Sequence, residues 1–253
     1  MLPGTYFDRN YELLEAQEFR AVTPGLEERF KEISEGRIAL DDLDRAQLRA
    51  FKERHEGVLK GPGITYVAAD EKKHFEGVIN IDEIPPFEAV KEVLPGQDIK
   101  FGMTGVANCT AVKMQCPSTL NPKNMLVAAI HYTGFDHDGN EMSPKECLDG
   151  LRRALEKKGG SMEKMETRLA GQILYSRKGG HCDSLDFAEE FLKMKDKFNI
   201  VAAHLPATEV DVNSDWDTIY RNTDDDHNSA VNVVVSVNEF FVSHAPLFDK
   251  PRE

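Results

Sequence analysis

The segment Met125-Leu126-Val127-Ala128-Ala129-Ile130-His131-Tyr132 is apolar along nearly its whole length and is flanked by Pro122 and Gly134. Eight such residues suit a buried strand better than a helix, because a strand covered on both faces loses the alternation that marks a half-exposed one. A strand of this kind needs material packed above and below it. With the helices and strands that surround it, the chain is expected to be of mixed α/β (α+β) class. His131 falls near the exit of the strand, where a polar side chain leaves the apolar run.

Elements of both kinds surround it. Thr23-Pro24, an N-cap followed by proline at the first helical position, leads into Leu26 to Ile33, and Ser34-Glu35-Gly36 ends that helix. A second helix is expected from Asp41-Asp42, with Leu43, Ala46, Ala50, Phe51 and Val58 at helical spacing and a stop at Gly61-Pro62-Gly63. That break separates a helical N-terminal extension, residues 1–62, from a main unit, residues 63–253. β-Branched runs predict strands over Ile64–Val67, Gly77–Ile81 and Thr110–Met114, before Met125–Tyr132. Ser143-Pro144 opens a helix that carries Cys147, Leu148, Leu151 and Leu155 on one face and ends at Gly159-Gly160. Beyond it come a strand around Thr167–Tyr175, a helix over Ser184–Phe198, a strand over Ile200–Leu205 and a pairing segment at Val231–Val242. Asp211–Asn228 reads as a polar, acidic excursion beside the last strands.

Composition removes several function classes. A formal net charge of −13 opposes binding to nucleic acid, since a phosphate backbone is held by Lys and Arg that displace its counterions. No segment approaches the roughly 20 apolar residues that span a bilayer, so no membrane partner is expected. The opening Met1-Leu2-Pro3-Gly4-Thr5-Tyr6-Phe7-Asp8 lacks both a basic and an apolar region of the secretory kind, which points to the cytoplasm. Cys109, Cys116, Cys147 and Cys182 follow no tight repeated spacing, and a chain of 253 residues can bury a core without disulfides. A reducing compartment is the simpler reading.

Cys109 and His131 are the candidates for chemistry. Met103-Thr104-Gly105-Val106-Ala107-Asn108-Cys109-Thr110 sets a thiol among small residues, and a thiol becomes a nucleophile when an imidazole lies beside it. Taken singly, each has an ordinary explanation: a packed core cysteine and a hydrogen-bonded structural histidine. Cys182, after Gly179-Gly180-His181, is a second candidate thiol whose place before a helix equally suits turn chemistry. Asp136-His137-Asp138-Gly139-Asn140-Glu141 has a calcium-loop flavour, but Glu141 stands where the loop requires glycine, so a polar turn is expected. Asp224-Asp225-Asp226-His227 reads as a solvated acidic loop. No motif calls for a metal or a cofactor.

Thr104-Gly-Val-Ala-Asn-Cys109-Thr-Ala-Val resembles the nucleophile segment of the chemoreceptor glutamine deamidases (CheD) and of toxins of the cytotoxic-necrotizing-factor and Burkholderia lethal-factor types. The order of elements is also similar: a strand ending in histidine, a helix, a strand like Glu166 to Ile173, a helix like Phe187 to Lys197, a strand like Ile200 to Leu205 and a closing pair like Val231 to Phe241. The likeness spans roughly residues 100–242 and implies that family's fold, a mixed β-sandwich flanked by helices. It departs at the site, where Val106-Ala107-Asn108-Cys109 replaces the family's Leu-Gly-Ser-Cys or Leu-Ser-Gly-Cys and its glycine. The spacing 131 − 109 = 22 is generous, with Cys116 to Pro122 expected as an enlarged loop.

The resemblance implies a deamidase that converts a glutamine of a target protein to glutamate, with Cys109 as nucleophile, His131 as proton shuttle and Thr104 as the residue orienting the histidine; a structural threonine in a strand, with another group orienting His131, is the alternative for Thr104. A toxin or effector delivered into a host cell without a classical signal peptide is the first expectation, given the long N-terminal portion. A chemoreceptor deamidase and a non-catalytic binding module on the same fold are the two rivals; Ala107 and Asn108 motivate the second.

Overall fold

In a computed structural model, the structure describes residues 40–66, 77–106, 109–136, 138–176, 183–210 and 231–243. Four helices occur there: α1 (Leu40–Arg54), α2 (Glu56–Leu59), α3 (Pro144–Lys157) and α4 (Asp183–Lys193). The strands are β1 (Thr65–Tyr66), β2 (Val78–Asn80), β3 (Val90–Val93), β4 (Lys100–Val106), β5 (Thr110–Pro117), β6 (Met125–Tyr132), β7 (Glu166–Gly171), β8 (Ile173–Ser176), β9 (Ile200–His204), β10 (Ala207–Val210), β11 (Val231–Val235) and β12 (Phe240–Ser243). One five-stranded sheet runs β1-β12-β11-β4-β2, a second runs β3-β6-β5-β7-β9, and β8 pairs with β10 apart from both. The fold is mixed α+β.

β6 explains the layering. Leu126, Ala128, Ile130 and Tyr132 join the hydrophobic cluster that the helices cover, with Leu148, Leu151, Leu155, Phe191 and Leu192. Val127 and Ala129 point the other way, into a cluster shared by the two sheets. The alternating side chains of a strand thus fill two cores at once, which is why its sequence is continuously apolar. In the inter-sheet cluster the second sheet supplies small residues, Ala111, Ala129 and Ala170, and the first sheet large ones, Phe101, Met103 and Phe240. Large against small lets the layers interdigitate at close packing.

The helix at Ser143-Pro144 starts with a capping box: the Ser143 side chain accepts from the Glu146 N–H while the Glu146 carboxylate accepts from the Ser143 N–H. α1 packs Phe51, fully buried, into the cluster beneath the helices, with Leu48, Val58 and Leu59 at its border. Arg54 and His55 at the end of α1 both meet Glu189 of α4, the latter at 3.1 Å. The expected strand over Thr167–Tyr175 is two strands: β7 stays in the second sheet, and past the buried Gln172 the chain turns into β8. Cys116 and Pro117 close β5 rather than opening a loop, which leaves Ser118–Asn124 as the hairpin connection. The helix expected at Leu26–Ile33, the excursion Asp211–Asn228, the Asp224–His227 cluster and Cys182 lie outside the described residues. Among the described residues, no helix is long and apolar enough to cross a membrane.

Candidate active site

The β5–β6 hairpin settles where the two candidate residues go. Its register sets Thr110 opposite Tyr132 and Ala111 opposite His131, so residue 109, one step before the strand, reaches the histidine across the hairpin. The spacing of 22 is the length of that hairpin. Cys109 Sγ and His131 Nε2 are 2.8 Å apart. On the other side of the ring, His131 Nδ1 is 2.8 Å from Asp82 Oδ1. A ring with one nitrogen on a carboxylate and the other on a thiol can take the thiol's proton at Nε2 while Nδ1–H stays bonded to the carboxylate.

Three separate parts of the fold meet here. His131 comes from the second sheet, on the face turned toward the first. Cys109 lies in the connection by which the chain crosses from β4 in one sheet to β5 in the other. Asp82 sits in a short 3-10 turn, Ile81–Glu83, directly after β2 of the first sheet. That turn is anchored by Ile81, which is buried in the inter-sheet cluster, and capped by Asn80, whose side chain accepts from the Asp82 N–H. Gly171 of β7 closes the site from behind: a Cβ there would lie 2.7 Å from the Cys109 carbonyl oxygen, so a larger residue would push the Cys109 segment away.

Thr104 is placed differently from the expectation. The group bonded to His131 is Asp82, and Thr104 bonds Asp82, donating from its N–H at 3.2 Å and from its hydroxyl at 3.1 Å to Oδ2. A threonine hydroxyl is a weak partner for an imidazole, whereas a carboxylate carries the charge that holds an imidazolium, so the threonine acts one bond further out. Asp82 itself is 27 positions before the cysteine (109 − 82 = 27). Its one sequence signal is that it follows a predicted strand closely, as His131 ends another.

Electrostatics follow the geometry. Burial disfavours a charged His131, but hydrogen bonds to Asp82 and Cys109, and their charges, outweigh it and raise the imidazole from 6.5 to about 10. Burial likewise pushes the Asp82 carboxyl upward, and the hydrogen bonds from His131 and Thr104 overcome it, leaving the group below its ordinary value. The ring is thus held protonated near neutral pH. That places a positive charge 2.8 Å from the Cys109 sulfur.

The other candidate residues are apart from this site. Asp136 Oδ1 accepts from the N–H groups of Asp138 and Asn140, so the calcium-like segment is a side-chain-capped turn. Among the described residues, no group of three or more His, Cys, Asp or Glu is arranged to hold a metal ion. Cys116 and Cys147 are buried. No protein-family model matches the chain, and no curated protein matches it.

Proposed function

We propose that the chain is a cysteine-dependent amidohydrolase that deamidates a glutamine side chain of another protein, with Cys109 as nucleophile, His131 as general acid and base, and Asp82 orienting the ring. The single observation behind this reading is the contact of both imidazole nitrogens of His131, Nε2 with Cys109 Sγ and Nδ1 with Asp82 Oδ1, each at 2.8 Å. Nucleophile, base and orienting group in hydrogen-bond reach of one another are the working parts of thiol acyl transfer.

The steps balance as follows. The Cys109 thiolate adds to the carboxamide carbon, and negative charge moves onto the carboxamide oxygen. The carbon–nitrogen bond then breaks as the imidazolium gives its Nε2 proton to the departing nitrogen, which leaves as ammonia. A thioester remains. Neutral His131 takes a proton from water, the hydroxide adds to the thioester carbon, and the thiolate leaves to pair again with the imidazolium. Glutamine and water have become glutamate and ammonia. Asp82 keeps its bond to Nδ1–H throughout, fixing the tautomer and balancing the ring's charge.

Amides of glutamine are favoured over backbone amides by the resemblance of the Thr104 to Val112 segment and by the order of elements from residue 100 to 242. The same resemblance favours a delivered toxin or effector acting on a host protein, because the site sequence departs from the Gly-Ser-Cys pattern of the chemotaxis branch. The test is incubation with pools of candidate proteins, reading the mass gained when a glutamine amide NH2 becomes OH. Conversion by the native chain that disappears in both Cys109→Ala and His131→Ala is the expected result. Conversion that persists in Cys109→Ala would end the proposal.

A further inference from the structure

The β4–β11 ladder is irregular where the nucleophile segment begins. Val231 pairs with Val106 and Val233 with Met103, so two residues of β4, Thr104 and Gly105, face the single residue Asn232. This is a β-bulge, and Gly105 takes the positive φ, +65°, that such a bulge demands of one member. Gly105 lies four positions before Cys109 (109 − 105 = 4).

At the bulge the backbone N–H groups of β4 go to side chains on its two edges, Asp82 after β2 and Asn232 of β11. The Thr104 N–H goes to Asp82 Oδ2 and the Gly105 N–H goes to Asn232 Oδ1 at 3.0 Å. The carbonyl oxygen of the same Gly105 lies 3.8 Å from Cys109 Sγ. One distorted pair of residues therefore touches the carboxylate that holds the imidazole, through Thr104, and the thiol, through Gly105. A polar residue between Val231 and Val233 would by itself be an ordinary outward-facing strand position. What singles out Asn232 is that its partner is the backbone of the residue against the nucleophile.

We propose that Asn232 is a positioning residue of the Cys109–His131 site: its side-chain oxygen, by accepting the Gly105 N–H, holds the β4 bulge that directs Thr104 onto Asp82 and sets Cys109 Sγ against His131 Nε2. The inference rests on the thiol–imidazole reading above. Loss of the acceptor lets Gly105 turn back toward the ladder, and displacement of a reacting atom by about 1 Å is enough to cost on the order of 10²-fold in rate.

The test uses the full chain and needs no knowledge of the target protein. Iodoacetamide alkylation of Cys109 is followed by peptide mass spectrometry across a pH series, for the native chain, Asn232→Ala, Asn232→Asp and His131→Ala, each below its own unfolding midpoint. Asn232→Ala is expected to slow alkylation of Cys109 about tenfold or more near pH 6 and to move the pH profile of the rate toward that of His131→Ala. Asn232→Asp, which keeps an acceptor for the Gly105 N–H, is expected to restore the rate to within about threefold of the native chain. A merely structural asparagine would lower the unfolding midpoint without moving the pH profile, and that result overturns the proposal, as does an Asn232→Asp variant as slow as Asn232→Ala. If the native chain is no faster than His131→Ala, the thiol–imidazole pair itself fails and this role falls with it. A His131-dependent rate that Asn232→Ala leaves unchanged removes the role of Asn232 alone.

Discussion

β5 carries a thiol near each of its ends, and the two could hardly be treated more differently. Cys109, one residue before the strand, is half-buried beside His131 and the Gly105 carbonyl. Cys116, one residue before the strand's end, is fully buried in the cluster beneath the helices, where burial pushes its thiol up to about 11. At the first end the chain crosses between sheets, and the crossing brings groups from both sheets to one point. At the other end it makes a short hairpin within one sheet and meets apolar side chains and the Gly160 backbone. Position in the topology, rather than residue type, decides which sulfur has a partner for its proton.

The largest expected contrast follows directly. Under native conditions at neutral pH, iodoacetamide should modify Cys109 on the order of 10³-fold faster than Cys116 or Cys147, because modification of the buried pair requires both opening and deprotonation. Burial alone raises Cys147 far above the usual thiol range. Quantitative peptide mass spectrometry after a short pulse reads this. Equal labelling of Cys109 and Cys116 would remove the distinction between the two ends of the strand.

Much of this contrast is legible in the amino-acid sequence, and the rest is hidden for physical reasons. The run Met125–Tyr132 predicts β6 to the residue, since a strand covered on both faces leaves no doubt about its extent. β3 escapes because Lys91 and Glu92 face solvent in the middle of only four residues. β4 escapes because Gly102 and Gly105 and the bulge interrupt its alternation, and the same bulge directs the site. Cys109 and His131 stand out as residue types that have chemistry and end apolar segments. Asp82 does not, because a place just after a predicted strand is too weak a mark, among 44 acidic residues, to single out the one that a 3-10 turn carries to the imidazole. Contacts that join two sheets depend on how the sheets stack, and that information is spread over the whole inter-sheet core.

A pH series should give a smaller but diagnostic difference between the two ends. His131 is raised in the folded chain from 6.5 to about 10, so its contribution to stability is complete below about pH 6.5 and is lost as pH rises toward 10. Asp82 is lowered, so its contribution is present above its ordinary value of 3.8 and is lost as pH falls below that. His204, lowered by burial, works in the opposite sense to His131, losing stability as pH falls through its unfolded value. The difference curve between the native chain and Asp82→Asn cancels the His204 contribution. Denaturant unfolding from pH 5 to 10 should show the native advantage over Asp82→Asn shrinking above pH 6.5; an advantage that grows toward pH 10 would contradict an imidazolium held by a carboxylate.

The smallest effect is expected at the quiet end of β5, and it should reach stability without reaching chemistry. A Cβ on Gly160 would lie 2.5 Å from Cys116 Sγ, 2.8 Å from Met162 Cε and 3.0 Å from the Leu155 carbonyl oxygen. Two of those atoms end side chains and can shift, while the carbonyl belongs to the α3 backbone and holds the Gly160 and Lys158 N–H groups. Gly160→Ala should therefore lower unfolding free energy by about 1–3 kcal/mol through overpacking. Because β5 links this contact to the site only through a paired strand that is hydrogen-bonded on both sides, the rate of Cys109 alkylation below the unfolding midpoint should stay unchanged. A Gly160→Ala chain that kept its stability but lost Cys109 reactivity would mean that the two ends of β5 are mechanically coupled, and that the separation drawn between them is wrong.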